Sequence, residues 1–213
     1  MRLRRIPGVQ KKLKEYPCIL VEDPKQSAGN WQKQFAACAP LVLEIGIGRG
    51  QFIREAARRD PQKNFVGLEL REEMLYQTIQ RMEGEIPPNL RLLWLNAAFM
   101  EEVFAPGEVS CIYINFPDPW PKNAHAKRRL THKNYWQIYQ KILTLDGLVQ
   151  LKTDTQSLYE FSLAQLAEAG WQIKEADTDY HLKEDPANII TEYENRYRRQ
   201  GKCIYRIITS PPA

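Results

Sequence analysis

The chain reads as an α/β protein built on a doubly wound, mostly parallel sheet. Three observations predict this. Short apolar runs alternate regularly with amphipathic stretches, a glycine-rich turn follows the first run, and a proline-locked loop follows the fourth. Regular βα alternation of this kind puts parallel strands in one layer with helices on both faces.

The elements follow in order. Pro40 to Ile45 is a short apolar strand, and after Gly46-Ile47-Gly48-Arg49-Gly50 comes an amphipathic helix, Gln51 to Arg59. Asn64 to Leu70 reads as the second strand. Glu72 to Met82 has helical spacing, and Pro87-Pro88 stop it. Leu90 to Leu95 and Val109 to Ile114 are the third and fourth strands. Lys133 to Leu143 repeats apolar residues at helical spacing (Tyr135, Ile138, Tyr139, Ile142). Gly147 to Lys152 is the fifth strand, Leu158 to Ala169 a helix and Trp171 to Ala176 the sixth strand. Thr191 to Arg199 is read as helical and Lys202 to Ile208 as strand. No repeat, low-complexity tract or dividing linker appears, so residues 1–213 are expected to form one domain, with residues 1–25 a basic N-terminal extension that has scope to flex.

Composition narrows the function classes. No run of about eighteen apolar residues and no signal-peptide pattern is found, and a soluble cytoplasmic protein is expected. Cys18, Cys38, Cys111 and Cys203 are scattered without C-x-x-C spacing, so neither a metal site nor a disulfide framework is suggested. His125, His132 and His181 are read as surface or RNA-contacting residues and not as ligands.

The formal charge of +4 hides an asymmetry. Arg2, Arg4, Arg5, Lys11, Lys12 and Lys14 precede the first acid, Glu15. A second acid-free stretch, Pro119 to Leu145, carries Lys122, Lys127, Arg128, Arg129, Lys133 and Lys141. A third, from Asn195 onward, carries Arg196, Arg198, Arg199, Lys202 and Arg206. Together these hold 17 of the 30 lysines and arginines. One such block is often a solvated face, but three, one adjoining a candidate site, favour a polyanion such as nucleic acid.

The candidate chemistry sits at strand ends. Asn115-Phe116-Pro117-Asp118-Pro119-Trp120-Pro121-Lys122 follows the fourth strand, and its three prolines forbid helix or central strand. In open α/β sheets ligands bind at that edge, so Asn115, Asp118, Phe116 and Trp120 are held where a planar ring could be gripped. A loop that merely caps the sheet is the competing reading, and Asp118 between two prolines is poor filler for it. Trp120 is open to packing or to stacking. The turn after the first strand has Gln51 where the G-x-G-x-x-G fingerprint needs glycine, which argues against a nicotinamide site. Glycine at 46, 48 and 50, with Glu44 two residues before the first, is instead the E-x-G-x-G-x-G pattern of Rossmann-like methyltransferases. Glu69, nineteen residues after Gly50, ends the second strand where a carboxylate can accept both ribose hydroxyls. Asn96 follows the third strand and can meet an adenine edge. Asp154 is open to helix capping or substrate contact, and Thr191 with Glu194 fits a capping box; capping and contact are compatible.

The combination of LEIGIGRG, GLEL, NFPDPWPK, AKRRL, LKTD and TEYE closely resembles the bacterial tRNA (guanine-N(7)-)-methyltransferases, from about Pro40 to Arg206. The resemblance implies a Rossmann-like class I methyltransferase fold, seven strands with an antiparallel C-terminal one. It implies methyl transfer from S-adenosylmethionine to N(7) of guanine 46 in the tRNA variable loop, by a monomer or homodimer. It further implies that Glu44, Gly46, Gly48, Glu69, Asn96 and Asp118 hold the methyl donor and that Asp118 is the active-site acid. Lys122, Asp154, Thr191, Glu192, Tyr193 and Glu194 would contact the substrate, while Ala124, His125, Ala126, Lys127, Arg128 and Arg129 would meet RNA. The family commonly continues after PWPK with further basic residues. Asn123-Ala124-His125-Ala126 here departs from that, leaving the RNA contact weaker or compensated by the termini. Two alternatives stay open. A methyltransferase for another base or a small molecule would be expected to carry D/N-P-P-Y/F at the loop, and a non-catalytic RNA-binding protein would not need the intact acids and glycines.

Overall fold

The structure, a computed structural model, describes residues 5–82, 84, 86–180 and 185–212. Arg2, Arg4 and His181 lie outside them. The chain divides into two compact units, residues 1–105 and 106–213. Its strands form a seven-stranded sheet in the order β3 (Leu90–Trp94), β2 (Asn64–Glu69), β1 (Leu41–Ile45), β4 (Val109–Asn115), β5 (Leu143–Thr153), β7 (Tyr205–Ser210), β6 (Gln172–Asp177).

The first unit holds α1 (Val9–Leu13), β1 (Leu41–Ile45), α2 (Gln51–Arg59), β2 (Asn64–Glu69), α3 (Glu72–Arg81) and β3 (Leu90–Trp94). β1 pairs with β2 and β2 with β3, all parallel. Every residue of β1 and β2 is buried, as parallel strands covered on both faces must be. α2 turns Phe52, Ile53, Ala56 and Ala57 inward. Residues 9–21 of the basic N-terminal stretch are packed down. Val9, Leu13 and Ile19 are buried, and Leu20 makes a parallel bridge to Leu92 of β3. Gln10 donates to Glu72 and Gln80 to the Tyr16 hydroxyl. Arg5, Lys11, Lys12 and Lys14 stay exposed.

The second unit holds β4 (Val109–Asn115), α4 (Lys133–Ile142), β5 (Leu143–Thr153), α5 (Gln156–Glu168), β6 (Gln172–Asp177), α6 (Glu192–Arg199) and β7 (Tyr205–Ser210). β4 and β5 are parallel, and β7 runs antiparallel between β5 and β6. Its core gathers Ile112, Ile114, Trp136, Tyr139, Val149, Leu151, Leu166 and Ile207. β5 starts four residues before the expected Gly147, because α4 passes directly into it at Leu143. Pairing with β4 is irregular between Val109 and Cys111, and Leu145 in that stretch is fully exposed. The edge strand β6 is exposed except at Asp177 and carries Lys174 and Glu175, charges that discourage edge-to-edge pairing. Among the described residues no helix is long and apolar enough to cross a membrane, and no cluster of three His, Cys, Asp or Glu could hold a metal ion.

Candidate active site

In the first unit the chain leaves β1 at Gly46. Gly46, Gly48 and Gly50 have φ of +77°, +54° and +71°, a backbone that side chains resist. A Cβ at Gly46 or Gly48 would meet nothing within 4 Å, so both face open space, whereas one at Gly50 would strike Thr78 Cγ2 at 2.3 Å. The first two glycines therefore leave room for a ligand, and the third lets α2 pack on α3. Glu69 at the end of β2 folds back onto this turn. Its Oε2 accepts from Gly48 N–H at 3.0 Å and its Oε1 from Arg71 N–H at 3.0 Å. Burial pushes its carboxyl above the ordinary carboxylate value, against the pull of the Arg71, Gly48 and Leu70 N–H groups. Each oxygen keeps a second lone pair for a ligand hydroxyl. Glu44 is buried within β1.

Asn96 follows β3 and is exposed, but its Oδ1 already accepts from Ala98 N–H, capping the 3-10 helix Ala97–Glu102. Beside it stand residues the sequence reading passed over. Leu70, Trp94 and Phe99 are about half exposed, and Trp94 Nε1 donates to Leu70 O at 3.0 Å. Their signal was apolar residues at strand ends, next to the acid of one strand and the amide of another.

In the second unit the loop after β4 is bent at two corners. Phe116 and Trp120 have φ of +50° and +42°, conformations that cost non-glycine residues roughly 1–2 kcal/mol each. Each corner is pinned. Phe116 N–H donates to Lys152 O at 2.8 Å. The Arg129 guanidinium donates to Pro119 O at 3.1 Å and to Trp120 O at 3.0 Å. Asp118, exposed, lies between the two corners. Phe116 stacks on Tyr193 of α6 at 6.4 Å and meets Tyr197, one turn on, at 5.8 Å. Asp154, past the end of β5, accepts from Lys202 Nζ at 3.0 Å, and that ammonium also lies 4.6 Å from the Tyr197 ring centre.

The chain between residues 38 and 207 matches a family model described as "Putative methyltransferase". The tRNA (guanine-N(7)-)-methyltransferase of Brevibacillus brevis is 43% identical over 211 residues, 99% of this chain and 98% of that protein. The enzyme of the same name from Lachnoclostridium phytofermentans is 40% identical, over 98% of this chain and 97% of that one. This chain belongs to the tRNA (guanine-N(7)-)-methyltransferase family. Two solved structures share the fold of this methyltransferase. The 16S rRNA methyltransferase KamB has a TM-score of 0.65 at 15% identity, covering 86% of this chain and 94% of that one. A 16S rRNA (adenine(1408)-N(1))-methyltransferase from Catenulisporales acidiphilia, with its cosubstrate, has a TM-score of 0.63 at 14%, covering 91% and 93%. The seven-stranded sheet with β7 antiparallel is thus the Rossmann-like class I methyltransferase fold that the resemblance implies.

The expected site residues of this methyltransferase fall into two groups, one in each unit. Glu44, Gly46, Gly48, Glu69 and Asn96 belong to the first. Asp118, Lys122, Asp154 and the residues around Thr191 belong to the second, with Lys122, Lys127 and Arg128 exposed. Arg128 lies 4.9 Å over the Trp120 ring, and the His125 ring meets that ring edge-on at 5.5 Å. Ala124 and Ala126 sit in the 3-10 helix Asn123–Arg128 between them.

Three charged side chains that sequence position would leave at the surface are turned inward. Arg129 does not face outward: it is buried, with its guanidinium 4.2 Å from the Phe161 ring centre and its donors on the loop carbonyls. Glu194 is turned inward. It is fully buried, its Oε2 lies 3.2 Å from Lys152 Nζ, and its Oε1 accepts from Asn188. Arg206, counted among the C-terminal basic residues, is buried against Asp177 and Glu175. A lone cation or carboxylate turned inward needs a partner, and sequence spacing shows none of these partners. The two candidate caps differ. Thr191 Oγ1 accepts from Glu194 N–H at 3.0 Å, so Thr191 caps α6. Asp154 caps nothing, since Thr155 is the N-cap of α5 and makes no side-chain cap. On α6, Glu192 and Tyr193 are the exposed members of the TEYE run.

Proposed function

We propose that this protein transfers the methyl group of S-adenosylmethionine to N(7) of guanine 46 in the variable loop of tRNA, acting in the cytoplasm. The observation that carries the reading is the pinned loop: an exposed carboxylate, Asp118, held between two strained corners beside the Phe116–Tyr193–Tyr197 aromatic group. The names of full-length relatives with about 40% identity support the same activity.

In the first unit, Glu69 receives the ribose hydroxyls of the donor, its orientation set beforehand by the Gly48 and Arg71 N–H groups. Gly46 and Gly48 leave open space for the rest of the ligand, and Leu70 and Trp94 offer apolar surface to its base. The donor supplies an electrophilic methyl on a sulfonium. Guanine N(7) has a free lone pair at neutral pH, so no proton must leave before attack. The protein's task is therefore proximity, orientation and electrostatics. Asp118 orients guanine through its N1–H and amine edge or offsets the positive charge that methylation leaves on the imidazole ring. Asp154, mostly buried and facing Lys202, is the second carboxylate available. Lys122, Lys127, Arg128 and the exposed N-terminal lysines supply the phosphate contacts that dominate affinity for RNA.

The test is incubation of unmodified tRNA with labelled S-adenosylmethionine, then borohydride and aniline treatment. Label incorporation with cleavage at the variable-loop guanine is expected. Label without cleavage there refutes the assignment to N(7).

A further inference from the structure

Arg129 sits in the basic stretch that borders the loop, and its position in sequence reads as a phosphate contact. The structure gives it other work. The residue is 8% exposed, Nε reaches Pro119 O and Trp120 O at 3.1 and 3.3 Å, and Nη2 reaches Trp120 O at 3.0 Å. One face of its guanidinium is covered by Phe161 of α5 at 4.2 Å. Its Nε and Nη2 donors are thus directed into the loop.

The carbonyls it holds belong to the residues just after Asp118, and Trp120 is the corner with φ of +42°. A left-handed, non-glycine corner persists only when its surroundings over-determine it. The other corner, Phe116, is tied to Lys152 O through its own N–H. At Trp120 the hydrogen bonds come from Arg129. Only a planar fork can donate to two successive carbonyls while stacking on an aromatic ring; an ammonium cannot do all three.

We propose that Arg129 is a positioning residue for methyl transfer, holding the Pro119–Trp120 corner so that Asp118 keeps its place, and that it makes no phosphate contact. The inference rests on the reading of Asp118 given above. Losing the clamp lets the loop relax, and a misplacement of about 1 Å lowers rate by about 100-fold. Affinity for tRNA, set by exposed cations, stays.

The experiment compares Arg129→Met, Arg129→Lys and Phe161→Leu with Arg128→Ala. Transfer to N(7) by the wild-type protein is established first, and its absence would overturn the activity and this inference with it. Single-turnover rates are then taken at saturating tRNA and S-adenosylmethionine. Calorimetric cofactor stoichiometry counts the folded fraction, so a merely structural defect does not pass for a slow step. The expected result is a rate about 100-fold lower for Arg129→Met, a smaller loss for Arg129→Lys and for Phe161→Leu, and an unchanged tRNA Kd and salt slope for all three. Arg128→Ala, in contrast, should weaken tRNA binding and reduce the slope by about one. A reduced salt slope for Arg129→Met, or an unchanged rate, overturns the proposal. Should Arg129→Met bind no cofactor, Arg129→Lys and Phe161→Leu decide by the same criteria.

Discussion

Replacing Glu194 by glutamine keeps shape and removes one charge from a pair whose side chains are 0% and 1% exposed. The Lys152 ammonium would then sit among Asn188, the Tyr180 ring 5.2 Å away, the nearby cation Arg206 and the more weakly acting carboxylate of Asp185. Breaking a buried pair from one side costs about 3–5 kcal/mol. The upper bound can be reached independently. Lys152 can escape by shedding its proton. At pH 7 that costs about 5 kcal/mol, since the ordinary lysine value is 10.5 and each pH unit is worth about 1.4 kcal/mol. Urea unfolding of Glu194→Gln at pH 7 should therefore show a loss of about 3–5 kcal/mol, with Tm lower by about 10 °C. The loss should shrink as pH rises. Burial already lowers the Lys152 pKa while Glu194 props it up, and removing Glu194 lowers it further. Between that lowered value and 10.5 the unfolded chain holds more protons than the folded one, so the stability of the variant climbs with pH. A loss under about 1 kcal/mol at pH 7, or one that does not change between pH 7 and 10, would refute the buried-pair argument. Glu194 would then return as a ligand contact.

Asp118→Asn should lower single-turnover methyl transfer about 100-fold or more, the scale of one preorganised electrostatic contact, while leaving tRNA affinity and Tm in place; a rate within about threefold of wild type would pass the role to Asp154. Glu69→Gln should weaken S-adenosylmethionine by roughly 1–3 kcal/mol in calorimetry, and unchanged affinity would remove Glu69 from the site. Changing Lys127 and Arg128 together to alanine should flatten the dependence of log affinity on log salt by about two. If the slope keeps its value, these exposed cations are only solvated.

Strand and helix positions were legible because they depend on local pattern. The α2 helix runs from Gln51 to Arg59, as its apolar spacing requires, and β1 and β2 are mainly apolar because both faces are covered, with Glu44, Asn64 and Glu69 the polar residues among them. The open turn at Gly46 and Gly48, the acid at the end of β2 and the proline loop were likewise visible, since glycine, proline and a strand-end carboxylate act on their immediate backbone. The capping bond from Thr191 to Glu194 N–H spans three residues and was legible for the same reason. The destination of long charged side chains was not. Glu194 finds Lys152 forty-two residues away, and Arg206 finds Asp177 twenty-nine away. Arg129 turns back ten residues to Pro119 and stacks on a ring of α5. A charge in sequence carries no record of which way it points. Only the fold decides whether it meets water, RNA or a buried partner, because desolvating it is tolerable solely where tertiary packing has brought that partner within reach.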